Sequence, residues 1–145
     1  MVIDAAIKVH TVLGPGLLES VYETALAMEL YKRGLNTERQ LPIAVEYEGQ
    51  MIGTGFRADL LVESLVLVEL KSVERMTDVF KKQTLTYLKS GKWRLGYLIN
   101  FNVSHLRDGI TRVVNGLPTT AQTLPPRPPR SPRPPRETPS RDDRS

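Results

Sequence analysis

The chain of 145 residues contains no cysteine. That excludes disulfides, thiolate metal sites and cysteine nucleophiles, and it fits a reducing, cytoplasmic setting. No apolar run reaches the ~18 residues that a membrane span needs. The first ten residues hold Asp4, Lys8 and His10 where a signal peptide would carry an apolar core. A soluble protein with no membrane partner is therefore expected. Charge is also scarce where it would matter. The overall net charge is +4, but six arginines against Glu137, Asp142 and Asp143 lie in residues 118–145, which leaves residues 1–117 at only +1. Bulk charge of the folded part thus gives no argument for nucleic-acid binding, and any basic surface has to be local. No internal repeat is visible. No phosphate-binding glycine loop precedes a helix, since Gly53 and Gly55 fall in a strand hairpin; this argues against a nucleotide-cofactor enzyme.

Proline is nearly absent from the first 117 residues and dense afterwards, with nine of eleven in the last 28. The segment LPPRPPRSPRPPRETPSRDDRS favours polyproline II and offers few apolar side chains to offset chain entropy, so a disordered tail is expected at 118–145. Its PxxP spacing beside arginine also fits an SH3-type ligand or a weak electrostatic tether to nucleic acid.

Residues 1–117 are enough for one domain that buries about 65% of its unfolded surface. In VIDAAIKVHTVL, Ile3, Ala6, Ile7, His10 and Leu13 recur at helical spacing, and Gly14-Pro15-Gly16 stops the helix. In LLESVYETALAMELYKRG, Leu18, Val21, Tyr22, Ala25 and Met28 form an apolar stripe that ends at Lys32, Arg33 and Gly34. Strands are expected at about 37–41, 43–48, 51–62 and 66–71, with Glu48-Gly49-Gln50 as a hairpin turn. TDVFKKQTLTYLKSG then reads as a helix capped by Thr77, with Val79, Phe80, Leu85 and Leu88 inward and Gly91 as its stop. RLGYLINF is a further apolar strand, and HLRDGITRVVNG a turn or short helix plus an edge strand. This order predicts an α/β fold, a mixed sheet flanked by helices.

The stretch DLLVESLVLVELK, residues 59–71, poses the functional question. Leu65 to Val68 reads as an interior strand, yet it runs into Glu69 and Lys71, which point to one face. Burying such charges unpaired costs several kcal/mol. Asp59, Glu69 and Lys71 are the residue types needed for magnesium-assisted attack on a phosphodiester: carboxylate oxygens suit the hard cation, and a lysine orients or deprotonates water or neutralises developing charge. Loop parity decides whether they meet. A three-residue connection, Glu63 to Leu65, places Asp59 opposite Glu69; a two-residue one places it opposite Val68 on the other face. The alternative is a hairpin whose solvent face carries Arg57, Asp59, Glu69 and Lys71 as ordinary cross-strand ion pairs.

GPGLLESVYE holds Gly16, Glu19 and Tyr22 in a G-x-x-E-x-x-Y pattern. Together with RADLLVE, VELK, QTLTYLK and LINFNV in order, it resembles the GxxExxY proteins of the PD-(D/E)XK nuclease superfamily over nearly all of residues 1–117. The resemblance implies a restriction-endonuclease-like core and a hydrolase that cuts nucleic acid, DNA rather than RNA, with Mg2+ or Mn2+. It implies that Asp59, Glu69, the carbonyl of Leu70 and Glu19 hold the metal, and that Asp59, Glu69 and Lys71 form the catalytic set. Gln83 and Tyr87, which resemble a Q-x-x-x-Y element, share a helix face toward the site or the DNA. Tyr22 supports the site or packs in the core with a satisfied hydroxyl.

Weaker candidates have simple readings. His10 is expected as a hydrogen-bonded core histidine, His105 as a loop residue, and Trp93 at the sheet edge with base stacking as its functional alternative. Lys81, Lys82, Lys89, Lys92 and Arg94 form a local phosphate-contacting patch or a solvated face. Asn100 caps the LINFN strand end or forms a turn. The rival to a nuclease is a catalytically inactive module that keeps the fold and binds nucleic acid or a protein. A domain this small is expected to work as a homodimer or with a recruiting partner.

Overall fold

A computed structural model describes residues 1–116. The expectations placed on 118–145, a disordered tail and an SH3-type contact, lie outside the described residues. The element order is α1 (Val2–Leu13), α2 (Glu19–Lys32), β1 (Thr37–Tyr47), β2 (Gln50–Val62), β3 (Val66–Lys71), α3 (Asp78–Gly91), β4 (Leu95–Asn100), a short 3-10 turn (Leu106–Gly109) and β5 (Ile110–Val114). The five strands form one sheet in the order β1-β2-β3-β4-β5. All neighbours are antiparallel except β3 and β4, which run parallel because α3 carries the chain back between them. This is the mixed sheet flanked by helices that the element order predicts.

Strand alternation divides the core in two. Leu60, Val62, Val68, Leu70 and Ile99 pack with α1 and α2 through Ala5, Val9, Tyr22, Leu26 and Leu30. Leu67, Ile43, Ala58 and Val113 pack with Leu88 of α3, joined by Phe56, Tyr87 and Trp93. Glu69 and Lys71 alternate with Val68 and Leu70, so they project to the α3 face.

Several local expectations are corrected. The two strands expected at 37–41 and 43–48 are one: Pro42 sits inside β1, which is tolerated because β1 is the sheet edge and the missing N–H costs no ladder bond there. The hairpin turn is the pair Glu48-Gly49, both with positive φ, as a two-residue connection requires. On α2 the buried positions are Tyr22, Glu23, Leu26 and Leu30, while Leu18, Val21 and Met28 are exposed; the stripe read from the sequence faces mostly outward. On α1 the buried face is Val2, Ala5, Ala6, Val9 and His10, with Ile3 and Ile7 only half-buried. Val79 of α3 is exposed, Thr77 makes no side-chain cap bond, and the left-handed capping residue is Lys92 rather than Gly91. Trp93 folds back over Gly91, where even a Cβ would strike its ring.

Candidate active site

The connection between β2 and β3 has the odd length. Val62 faces Val66 across Glu63, Ser64 and Leu65, and the ladder continues through Leu61 and Leu67 to Leu60 and Val68. There it stops. The next residues, Asp59 and Glu69, stand opposite one another, and their side chains take over the bonds that the backbones relinquish: Asp59 N–H donates to Glu69 Oε2 at 3.0 Å, and Leu70 N–H donates to Asp59 Oδ2 at 2.8 Å. The strands therefore fork at the two carboxylates.

Glu69 is 6% exposed. Burial, followed by the negative charge of Asp59, pushes its carboxyl up to about 8, against a smaller lowering by the Asp59 N–H and by Lys71. Asp59 is half-buried and its carboxyl is also raised, first by burial and then, against its bond from Leu70, by the charge of Glu23. The pair is thus held together without a counter-charge in contact. Among the described residues the ion pairs are Lys8–Glu29, Arg33–Glu29 and Arg39–Glu23, so the hairpin of ordinary cross-strand pairs is not what forms here. Lys71 is half-buried with its Nζ 4.5 Å from the centroid of the Phe80 ring, a cation–π contact that keeps the ammonium on the α3 side of the fork.

The helices meet the fork differently from the sequence expectation. Glu19, at the start of α2, is exposed, and its Oε2 accepts from Ser72 N–H at 3.3 Å just beyond Lys71; its charge still acts on both fork carboxyls. Glu23, which sequence reasoning missed, is the buried acid of α2. It accepts from Arg39 Nε at 3.0 Å and from Gln40 Nε2 at 2.7 Å. The signal was available: Glu23 follows Glu19 by one helical turn and so shares its face. Tyr87 of α3 is half-buried against Phe56, ring centroids 3.8 Å apart, and burial together with the charges of Glu69 and Asp59 raises its phenol. Gln83, one turn earlier on the same helix, is exposed, as are Lys81, Lys82, Lys89, Lys92 and Arg94.

Two residues scaffold this end of the sheet. Tyr22 is fully buried, stacks on Phe101 with centroids 4.4 Å apart, and ties down the Gly-Pro-Gly loop by donating to Gly14 O and accepting from Leu17 N–H. Asn100 is buried at the end of β4 and clasps the segment after Lys71, accepting from Val73 N–H and donating to Val73 O. His10 is a core histidine, its Nε2 2.8 Å from Val103 O.

Among the described residues no three acidic or histidine side chains lie close enough to form a complete metal cage. The pair at the fork nevertheless suits a hard divalent cation, because magnesium is commonly held by one or two carboxylates with water and substrate phosphate as its remaining ligands. Two raised, adjacent carboxyls are what such a cation would relieve.

Fold and site together define an α/β protein with an acidic centre at a strand fork. Residues 1–113 match the family model described as the PD-(D/E)XK nuclease superfamily, and the chain belongs to that superfamily. Comparisons with curated proteins and with solved structures gave no match. Among the described residues no helix is long and apolar enough to cross a membrane.

Proposed function

We propose that the chain is a divalent-metal-dependent nuclease of the GxxExxY type, acting on DNA, with its nuclease domain at residues 1–117 and an appended tail at 118–145. The observation that carries this reading is the buried pair Asp59 and Glu69. Two adjacent carboxyls, both raised by burial and by neighbouring acids, are a poor structural element, and a good one only if a cation joins them.

Asp59 and Glu69 would hold Mg2+ or Mn2+, with the carbonyl of Leu70 beside them; Glu19, which accepts from Ser72 N–H, would have to leave that bond and swing toward the fork to join them. The bound cation supplies Lewis-acid activation of the phosphate and a more acidic water. Lys71 orients that water or neutralises charge on the phosphate from its half-buried place over Phe80. The exposed lysines of α3 contact backbone phosphates, which position a strand without reading its sequence. Tyr87 lines the α3 side of the fork, and Gln83 extends the same helix face toward the substrate. Tyr22 and Asn100 act by keeping the Gly-Pro-Gly loop and the post-Lys71 segment in place.

The test is cleavage of labelled single-stranded, duplex and flapped DNA and RNA in Mg2+ or Mn2+, with Asp59→Asn and Lys71→Ala beside the wild type. Cleavage by wild type that both variants lose supports the reading and identifies the substrate. Equal inertness of all three, with no Mn2+ bound by wild type, overturns it in favour of a binding module.

A further inference from the structure

Among the described residues, five that are not glycine have left-handed backbones: Gln40, Glu48, Glu63, Ser64 and Lys92. Four have a local reason. Glu48 is in the hairpin turn, Glu63 and Ser64 connect β2 to β3, and Lys92 caps α3. Gln40, with φ 50°, lies inside a strand, where a glutamine in this conformation is strained. The β1–β2 ladder skips a pair at the same place: Arg39 faces Leu60 and Leu41 faces Ala58, with Gln40 and Asp59 between them outside the ladder.

The strained residue is turned toward carboxylates. Gln40 Nε2 donates to Glu23 Oε1 at 2.7 Å and reaches Asp59 Oδ1 at 3.4 Å. Both partners are acceptors, so the amide nitrogen and not its oxygen must face them. Glu23 is itself buried and fixed by Arg39, which also donates to Thr24 Oγ1 at 2.9 Å. Arg39, Glu23, Gln40 and Asp59 thus form one chain of contacts from α2 to the fork. On Asp59, Oδ2 is held by Leu70 N–H and Oδ1 by Gln40, so each oxygen keeps a further lone pair in a fixed direction.

We propose that Gln40 is a positioning residue for Asp59. Buttressed by Glu23, its amide fixes the orientation in which the Asp59 carboxylate receives a divalent cation, and the backbone strain at position 40 is retained for that contact. This rests on reading Asp59 as a metal ligand. A carboxylate restrained at both oxygens loses less freedom when it binds, as partners behind metal ligands generally ensure.

The deciding variant is Gln40→Gly in the full-length chain. Glycine accepts the left-handed backbone without strain and removes the amide. The released strain and the lost bond to Glu23 oppose one another in stability, so the expected result is a melting temperature close to wild type together with Mn2+ binding, followed by calorimetry, that is weaker by about tenfold or more. In the cleavage assay the Mn2+ concentration for half-maximal rate should rise, with a smaller fall in the saturated rate. Glu23→Gln, which keeps an acceptor for Gln40 but loosens Arg39, should weaken Mn2+ binding in the same direction by about threefold. A folded Gln40→Gly protein that binds Mn2+ and cleaves like wild type overturns the proposal, whatever its melting temperature. If wild type binds Mn2+ without cleaving, and Gln40→Gly weakens that binding, positioning stands while the nuclease reading falls. If wild type neither binds nor cleaves, both fall.

Discussion

Glu69→Gln tests the energetics of the fork most directly. The Glu69 carboxyl is pushed up to about 8 from an ordinary 4.5 by burial and by Asp59. A raised acid is stabilising to the native state only while it holds its proton. Its contribution is therefore complete below about pH 4.5 and is lost as the pH climbs, until the folded carboxyl itself ionises near 8. At pH 7 the unfolded chain has ionised and the folded one has not, a loss of about 3 kcal/mol, which grows toward about 5 kcal/mol above pH 9. Glutamine keeps an acceptor for the Asp59 N–H and has no proton to lose. In metal-free buffer the variant should therefore be more stable than wild type by about 3 kcal/mol at pH 7, on the order of 10 °C in melting temperature, and by little at pH 5. Urea or thermal unfolding followed by circular dichroism from pH 5 to 9 measures the difference. Stability curves that run parallel for the two proteins across this range would refute the reasoning. Mg2+ supplies the opposite check: it should raise the melting temperature of wild type more at pH 8 than at pH 6, because the carboxyl must shed its proton to bind, and it should leave Glu69→Gln nearly unmoved.

Other substitutions test the scaffold. Tyr22→Phe keeps the stack on Phe101 but strands Gly14 O and Leu17 N–H, and chemical denaturation should show a loss of about 1–2 kcal/mol. Gly109→Ala would drive its Cβ into Asn100 O, a backbone atom that cannot swing aside, so a loss of about 1–3 kcal/mol is expected in the same assay. On α2, Leu18→Ser should change stability by less than about 0.5 kcal/mol and Leu26→Ala by about 2–5 kcal/mol, which separates the outward stripe from the buried one.

The sequence made the centre of the site legible and its surroundings much less so. Strand alternation reduced the meeting of Asp59 and Glu69 to the parity of one loop, and the structure supplied the three-residue connection that answers it. The sequence of helices and strands along the chain followed from apolar runs and their breaks, while the parallel pairing of β3 with β4 did not. Helix α2 was harder. Its apolar residues Leu18, Val21 and Met28 recur at helical spacing, but so do Tyr22, Leu26 and Leu30, and only the docked sheet decides between two overlapping stripes. That orientation carries Glu23 into the core, while Glu19, on the same face but at the first residue of α2, stays exposed. Gln40 was silent for a different reason: no composition rule marks a glutamine that tertiary contacts hold in a left-handed conformation. Lys71 over Phe80 depends on how the loop after β3 returns α3 to the sheet, and Asn100 clasping Val73 joins positions 27 residues apart.

The unequal lengths of neighbouring strands carry a last consequence. β2 has 13 residues and β3 only 6, and the two pair through Leu60, Leu61 and Val62 alone. From the turn at Glu48 back to Asp59, β1 and β2 are a two-stranded ribbon, interrupted by register shifts after Ile43 and Val45 and ending in the exposed side chains of Tyr47, Met51 and Ile52. Two strands alone are marginal in water. The ribbon's base is held against α3 by Ile43, Phe56 and Ala58, whereas the tip beyond the Ala44–Thr54 pair is largely exposed, so the amide protons of the tip should exchange before those of Leu60 to Val62. The acidic pair thus has a sheet paired on both edges of β2 on one side and, on the other, a two-stranded stretch that α3 alone covers.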